Sequence, residues 1–153
     1  DARYALIGIG EDRDYLAALA KELGVADRLH LLGHVGVDDL PRWYNACDVF
    51  AMPNREINGD TEGFGMVFIE AAACRKPSIA GLAGGTGAAV IDGKTGRRVD
   101  GSNAAEVAAT LHQVLADRGG LVALGSAALE RVREEFDWDR VADKTRRVRN
   151  DVL

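Results

Sequence analysis

Short apolar runs alternate with helical stripes along the first part of the chain. The run Tyr4–Ile9 predicts a strand, and the segment after it, which ends at Gly24, has apolar residues at the three- and four-residue spacing of a helix. A second strand over 28–32 and a short helix over 38–46 follow. The apolar run 48–52, stopped by proline, predicts a third strand. The chain therefore begins with repeated strand and helix pairs.

The same alternation continues to about residue 100 and then gives way to helical pattern alone. The later predicted elements are a buried helix over 64–74, a strand over 77–80, a glycine-rich turn over 81–87, a short helix over 88–91, a tight turn over 92–96 and three helices after 103. Alternation of this kind predicts an α/β fold, with a Rossmann-like parallel sheet, helices on both faces and a helical C-terminal tail.

Composition favours one folded unit that does not bind nucleic acid. The chain has 153 residues, 47% of them hydrophobic, and 19 Lys and Arg against 24 Asp and Glu, a net charge of −5. This length predicts a single domain with a buried core. An acidic chain lacks the overall positive field that draws proteins to phosphate backbones, so nucleic acid is not an expected partner.

Cysteine spacing and hydropathy narrow the class of protein further. Cys47 and Cys74 lie in apolar runs without CxxC spacing, so we expect reduced thiols and no zinc site. Three scattered histidines without carboxylate spacing predict no other metal centre. No apolar stretch of 18 residues or signal sequence is present. These features predict a cytoplasmic protein. For the basic C-terminal helix, the pattern favours a solvated helix face, and the alternative is peripheral contact with the inner membrane face.

The loops at the carboxyl ends of parallel strands are where α/β proteins bind ligands. In the first of these loops, Gly8 and Gly10 suggest a dinucleotide fingerprint, but Arg13 stands where the third glycine of GxGxxG belongs. The fingerprint is therefore incomplete. This disfavours a nicotinamide-dependent enzyme.

The strongest candidate site combines two carboxylates with a glycine-flanked helix start. Glu62 and Glu70 lie eight residues apart, and the free N–H groups near Gly65, Met66 and Val67 favour a phosphate or a sugar hydroxyl. Carboxylates accept hydrogen bonds from vicinal hydroxyls. Glu70 interrupts an apolar helix, so we expect it to have a partner. The alternative is structural: Glu70 pairs with an arginine, and Glu62 only flanks a helix start.

The run EGFGMVFIEAAACRKP closely resembles the E-x7-E signature of retaining family-4 glycosyltransferases, which have the two-domain GT-B fold. Three other segments match in order. They are LIGIGEDRDYLAALAKELGVADRLHLLGHV at the nucleotide-base pocket, NACDVFAMPN before the signature, and the glycine turn and hairpin AGGTGAAVIDGKTGRRVDG after it. The likeness extends from about Tyr4 to the helix FDWDRVADKTRRV, and implies the C-terminal, nucleotide-sugar-binding half of such an enzyme.

The resemblance assigns roles to individual residues. Glu70 is expected to bind the ribose hydroxyls of a nucleoside diphosphate sugar, and Glu62 to be the catalytic-site carboxylate that binds hydroxyls of the donor sugar. The remaining expected ligand-binding residues are Gly63, Phe64, Gly65, Met66 and Val67 for the sugar and diphosphate, and Gly33, His34 and Val35 for the base. No metal or other cofactor is expected.

The insertion NREINGD before Glu62 is similar to that of phosphatidylinositol mannosyltransferases, which makes GDP-mannose the first expected donor and a UDP-sugar the alternative. The resemblance implies transfer of a hexosyl group, with mannosyl as the first candidate, from this donor to an acceptor. A lipid at the membrane surface is one candidate acceptor. The chain departs from the family at Arg75, where many members have glycine, and at Gly87-Ala88, where many have Pro-Glu.

The resemblance also implies that residues 1–153 are one domain of a longer enzyme. The family has a further βα unit with an Arg and Lys clamp on the diphosphate, and before it an N-terminal acceptor domain. A retaining transfer needs positive charge on the leaving diphosphate, so the isolated chain is expected to be inactive. The alternative is a non-catalytic nucleotide-binding or interaction module that works with a separate chain.

The strand order of doubly wound domains gives one further expectation. The first strand lies at the centre of such a sheet, so its absence would leave unpaired backbone groups on two neighbours. We expect either that a complementing chain or a second copy fills the gap, or that the strand at Ala5–Ile9 pairs directly with the strand at Asp48–Met52.

Overall fold

A computed structural model describes residues 2–152 of the chain, with side chains described for residues 2–149. The fold divides into two compact units, Asp1–Leu40 and Pro41–Leu153.

The first unit is a strand, a helix and a second strand. Strand β1 spans Tyr4–Ile7, helix α1 spans Arg13–Glu22, and strand β2 spans Leu29–Gly33. The two strands are parallel, with Tyr4 opposite Leu29. Helix α1 ends in a left-handed residue, Gly24, whose N–H donates to the Lys21 carbonyl, while the next N–H donates to the Ala20 carbonyl. This Schellman motif ends the helix and turns the chain toward β2.

The second unit alternates strands and helices and ends in a helical segment. Its elements, in chain order, are α2 (Leu40–Ala46, which begins at the last residue of the first unit), β3 (Phe50–Met52), α3 (Met66–Ala73), β4 (Ser78–Gly81), a 3₁₀ helix (Gly84–Ala88), β5 (Gly96–Val99), α4 (Ala104–Ala116), α5 (Arg118–Arg131), a π-helical turn (Val132–Phe136) and α6 (Trp138–Val152). Among residues 2–152, no helix combines the length and hydropathy needed to cross a bilayer.

Strands β3, β4 and β5 form a parallel sheet with β4 at its centre. Neighbouring residues of β4 face opposite sides, as the pleat requires. Ala80 packs in one apolar cluster with Phe68 and Ile69 of α3, whereas Ile79 packs in another with Val114 of α4. Helices therefore cover both faces of this sheet, which confirms the predicted architecture.

Two predicted elements of the second unit are wrong in detail. The short helix predicted over 88–91 lies earlier, because the glycine-rich segment Gly84–Ala88 itself forms the 3₁₀ helix. The segment expected to form a hairpin contains strand β5, which pairs in parallel with β4. Its consecutive arginines, Arg97 and Arg98, hide the alternation by which a strand is usually recognised.

The expected direct pairing of the first strand with the third is also wrong. In the described part of the chain, β1 pairs with β2 and β3 pairs with β4, and the two pairs belong to separate sheets. Each of these pairings lies within a single unit. Tyr4 and Ile7 of β1 are 50% and 38% exposed. Pairing with another chain or a second copy stays a prediction.

Candidate functional site

The candidate site of the second unit lies at the carboxyl edge of its sheet, where the loops after β3 and β4 meet. Asn54, two residues beyond β3, joins them with both ends of its amide. Its Nδ2 donates to the Ala83 carbonyl at 2.9 Å, and its Oδ1 accepts from the Gly81 N–H at 2.9 Å. A Cβ on Gly81 would lie 1.7 Å from the Asn54 carbonyl oxygen, so only glycine fits there.

The glycine-rich turn packs directly against the loop that carries Glu62. The Gly85 N–H donates to the Glu62 carbonyl at 3.0 Å. A Cβ on Gly84 would lie 2.0 Å from the same oxygen, and one on Gly85 would lie 1.8 Å from the Gly63 carbonyl oxygen. These glycines therefore allow two backbone segments to touch, which fixes the position of Glu62.

Helix α3 begins at this loop with a left-handed residue. Gly65 is its N-cap, with φ of 83°, and a Cβ there would lie 2.4 Å from the Phe68 ring. The Phe68 N–H donates a hydrogen bond to the Gly65 carbonyl at 3.0 Å. The N–H groups of Met66 and Val67 belong to the first turn, where a helix offers no acceptor of its own. The helix start thus presents N–H donors and a positive dipole end at the sheet edge.

Glu62 stands next to this helix start and is half-buried. Its backbone carbonyl is held by Gly85, but its carboxylate has no hydrogen-bond or ion-pair partner within residues 2–149. A half-buried carboxylate without a protein partner keeps its acceptor capacity for a ligand. The geometry suits a hydroxyl-rich molecule.

Glu70 differs from its expected setting. It was expected among buried apolar residues, but it is exposed, on a narrow stripe of α3 with Met66 and Ala73 at helical spacing. Its partner is the phenol of Tyr44, whose Oη donates to Oε2 at 2.8 Å. The alternative pairing with an arginine is not formed among the described side chains. Exposure on this stripe explains why no countercharge is needed.

Tyr44 is held by aromatic packing at the other side of its ring. Its ring meets Phe50 edge-on with centroids 5.6 Å apart, and Phe50 meets Phe68 in the same way at 5.7 Å. Burial, followed by the hydrogen bond to Glu70, raises the pKa of Tyr44. The hydroxyl therefore stays protonated at neutral pH and remains a donor.

The loop before Glu62 contains a tight turn rather than an irregular coil. Asn58 and Gly59 both have positive φ, 54° and 84°, as a type I′ turn requires. Ile57 and Asp60 exchange two backbone hydrogen bonds of 2.9 Å across it. The insertion NREINGD before Glu62 thus contains a defined two-residue turn.

A basic side chain supports the far end of the 3₁₀ helix. The Arg131 guanidinium donates to the carbonyls of Ala88 and Ala89 at 2.7 and 2.8 Å, and lies 4.9 Å from the centre of the Phe136 ring. Phe136 in turn packs against Phe64 at the helix start, with centroids 5.7 Å apart. The last residue of α5 and the π-helical turn after it thus support both segments that frame Glu62.

The residues predicted to bind the base lie in the first unit. Gly33 ends β2 with φ of 70°, and its carbonyl accepts from the Gly8 N–H at 2.9 Å, which brings the two strand-end turns together. His34 is exposed and Val35 is half-buried. The loops after β1 and β2 therefore meet at one edge of the first unit, and binding of a base there stays a prediction.

The second unit brings together the other predicted residues, Glu62, Gly63, Phe64, Gly65, Met66, Val67 and Glu70, in one loop and the helix it starts. Sequence reasoning missed Tyr44 and Asn54. The position of Asn54, a polar residue just after a strand, weakly indicates a site residue. No local sequence pattern distinguishes Tyr44. Within residues 2–149, no group of three metal-ligating side chains is assembled.

In comparisons with known proteins, this chain matches glycosyltransferases. The family model described as glycosyl transferases group 1 matches residues 1–131. A GDP-mannose-dependent alpha-(1-6)-phosphatidylinositol monomannoside mannosyltransferase from Mycobacterium tuberculosis is 41% identical over 145 residues, covering 94% of this chain and 38% of the relative. A D-inositol 3-phosphate glycosyltransferase from Streptomyces bingchenggensis is 42% identical over 130 residues, or 85% of this chain and 27% of the relative.

Solved structures agree on the fold. The Anabaena HepE protein in complex with UDP superposes with a TM-score of 0.84 at 25% identity, over 98% of this chain and 41% of that one. Sucrose-phosphate synthase from Thermosynechococcus elongatus gives a TM-score of 0.81 at 28% identity, covering 97% and 38%. The chain thus spans less than half the length of each of these four proteins.

Proposed function

The chain belongs to the glycosyl transferases group 1 family, and from this premise we propose that it binds the donor of a retaining hexosyl transfer. The donor is a nucleoside diphosphate sugar, and the acceptor half of the enzyme comes from a further domain or a separate chain. The relatives are glycosyltransferases of more than twice this length.

The observation that carries the proposal is the half-buried Glu62 carboxylate, unpartnered within residues 2–149, beside the N–H groups that begin α3. The two groups are complementary to two parts of one ligand. Carboxylate oxygens accept from sugar hydroxyls, whereas first-turn N–H groups and the helix dipole attract a diphosphate. A nucleoside diphosphate sugar has both parts next to each other.

Each predicted residue then has a task in this proposal. Glu62 binds donor-sugar hydroxyls at the reacting centre, and the backbone of 63–67 holds the sugar and the diphosphate. Glu70 receives the ribose hydroxyls. Contact of the segment Gly33–Val35 of the first unit with the base stays an expectation from the family resemblance. As the glycosidic bond breaks, negative charge builds on the leaving diphosphate, and the N–H groups of α3 stabilise part of it.

GDP-mannose is the proposed donor, with a UDP-sugar as the alternative. The Mycobacterium tuberculosis relative is named as GDP-mannose-dependent, while the Anabaena structure contains UDP. We further propose that transfer needs no metal ion, since the charge of the diphosphate is met by N–H donors and by basic residues of the complete enzyme. Chelation and re-addition of Mg²⁺ are expected to leave nucleotide affinity unchanged.

The acceptor in this proposal is a lipid-linked sugar alcohol at the inner face of the membrane. Exposed basic residues of α6 support it, among them Arg140, Lys144 and Arg147. Such residues attract a protein to anionic headgroups. Binding to vesicles that contain phosphatidylinositol, against neutral vesicles, tests this part separately from donor binding.

Calorimetric titration of the 153-residue chain with GDP, UDP and NADH tests donor binding. We expect GDP or UDP to bind and NADH not to bind. Glu70→Ala removes charge-assisted hydrogen bonds of about 1.5–3 kcal/mol each, a loss of about 10- to 150-fold in affinity for each. Glu22→Gln on α1 is the control. Unchanged affinity in Glu70→Ala would assign that carboxylate to structure.

A further inference from the structure

We propose that Tyr44 is a positioning residue that orients the Glu70 carboxylate and thereby gives the site its preference for ribose over deoxyribose. This inference rests on the proposed function, because it requires Glu70 to bind the ribose. It adds a residue that lies 26 positions earlier in the chain, on α2.

The argument starts from the freedom that Glu70 would have alone. An exposed glutamate on a helix samples several rotamers, and ordering it on a ligand costs conformational entropy. The Tyr44 hydroxyl removes that freedom beforehand. It donates to Oε2 at 2.8 Å, which fixes the carboxylate plane and leaves Oε1 without a protein donor among residues 2–149.

The Tyr44 hydroxyl that donates this hydrogen bond is held rigidly. Tyr44 is half-buried, and its ring is braced edge-on by Phe50, which is braced by the buried Phe68 of α3. Since Phe68 and Glu70 lie on the same helix, the aromatic contacts hold α2 and α3 at one spacing. The hydroxyl therefore reaches Glu70 from a fixed anchor and not from a free side chain.

This arrangement predicts selectivity and not affinity alone. A vicinal diol needs two acceptor positions in one plane. The preoriented Glu70 carboxylate offers Oε1 and the second lone pair of Oε2 with little loss of entropy. A 2′-deoxy nucleotide has only one of the two hydroxyls and gains less from preorientation. The ratio of the dissociation constants of 2′-deoxy-GDP and GDP therefore reports on Tyr44.

The test compares three variants in titrations with both nucleotides, followed by amide NMR so that weak binding is measurable. Tyr44→Phe removes only the hydroxyl and keeps the ring. Tyr15→Phe, at an exposed tyrosine of α1, is the matched control. Glu70→Ala removes the carboxylate. We expect Tyr44→Phe to weaken GDP by about 3- to 10-fold, to leave 2′-deoxy-GDP nearly unchanged, and so to bring the ratio toward one.

Further results distinguish failure of the role proposed for Tyr44 from failure of the proposed donor site. In the Glu70→Ala background, Tyr44→Phe is expected to change the ratio no further, since both act through the same carboxylate. If the unmodified chain binds no nucleotide, the proposed donor site fails and this inference with it. If the unmodified chain binds GDP and Glu70→Ala leaves that binding intact, Glu70 is structural and this inference alone is overturned. If Glu70→Ala weakens GDP but Tyr44→Phe weakens both nucleotides equally, Tyr44 is only structural and this inference alone is overturned.

Discussion

Replacing Gly85 by alanine adds one methyl group where the glycine turn touches the Glu62 loop. That Cβ would lie 1.8 Å from the Gly63 carbonyl oxygen, against the roughly 3.5 Å at which such atoms pack. The two backbone segments must therefore separate by more than about an ångström. No side-chain rotation relieves the overlap, because the backbone fixes the position of the Cβ and the oxygen belongs to the main chain.

The expected cost has two parts. Separation breaks the hydrogen bond from the Gly85 N–H to the Glu62 carbonyl, worth about 1 kcal/mol. Overpacking adds about 1–3 kcal/mol, as for extra methylenes forced into packed sites. The free energy of unfolding is thus expected to fall by about 2–4 kcal/mol, and the melting temperature by about 5–15 °C for a chain of this size.

Urea unfolding followed by far-UV circular dichroism measures this cost. Gly63→Ala is the matched control, because a Cβ on Gly63 meets nothing within 4 Å and its backbone has no positive φ. We expect the control to change the unfolding free energy by less than about 0.5 kcal/mol. Equal stability of the two variants would refute the claim that backbone contact, and not ligand binding, requires glycine at position 85.

Three other measurements address separate features. Arg131→Lys loses the paired hydrogen bonds to the end of the 3₁₀ helix. We expect it to lower the unfolding free energy by about 1–3 kcal/mol. An unchanged value would show that those bonds do not contribute to stability. Burial raises the pKa of Asp92, but hydrogen bonds led by the Arg98 N–H outweigh it and hold that pKa below 3.8. The stability this carboxylate contributes is complete above the unfolded pKa and lost as pH falls through the folded one, so Asp92→Asn is expected to show a flatter acid unfolding profile between about pH 5 and 2. Arg75 holds a left-handed conformation, φ 60°, so Arg75→Gly is expected to raise the melting temperature, and a lower value would show that the arginine side chain compensates for the strain.

Local pattern predicted most of the elements because each of them buries one regular face. The helix at α3 is an example, since its apolar residues cover most of its surface. The same pattern hid the setting of Glu70. An apolar helix with one carboxylate suggests burial, but three positions at helical spacing, Met66, Glu70 and Ala73, are enough for an exposed stripe.

Contacts between distant segments could not be predicted from pattern. Tyr44 and Glu70 meet because α2 and α3 are held together by Phe50 and Phe68, and no spacing within one element encodes that distance. The role of Arg75 was only partly visible. A glycine in relatives signalled a special turn, and the structure gives the reason, a Schellman motif in which the Lys76 N–H donates to the Ala71 carbonyl.

The glycine contacts at the sheet edge also divide the site into positions that tolerate change and positions that do not. Gly81, Gly84 and Gly85 are required by main-chain packing, so a library that varies them would sample mostly misfolded chains. Gly63 and Met66, one open to solvent and the other on the exposed stripe, border the proposed donor site without that constraint. A library that tests the proposed donor-sugar contacts therefore varies these two positions. Retention of the three packed glycines in a diverged copy of this gene would reflect the requirements of the fold and not the identity of a substrate.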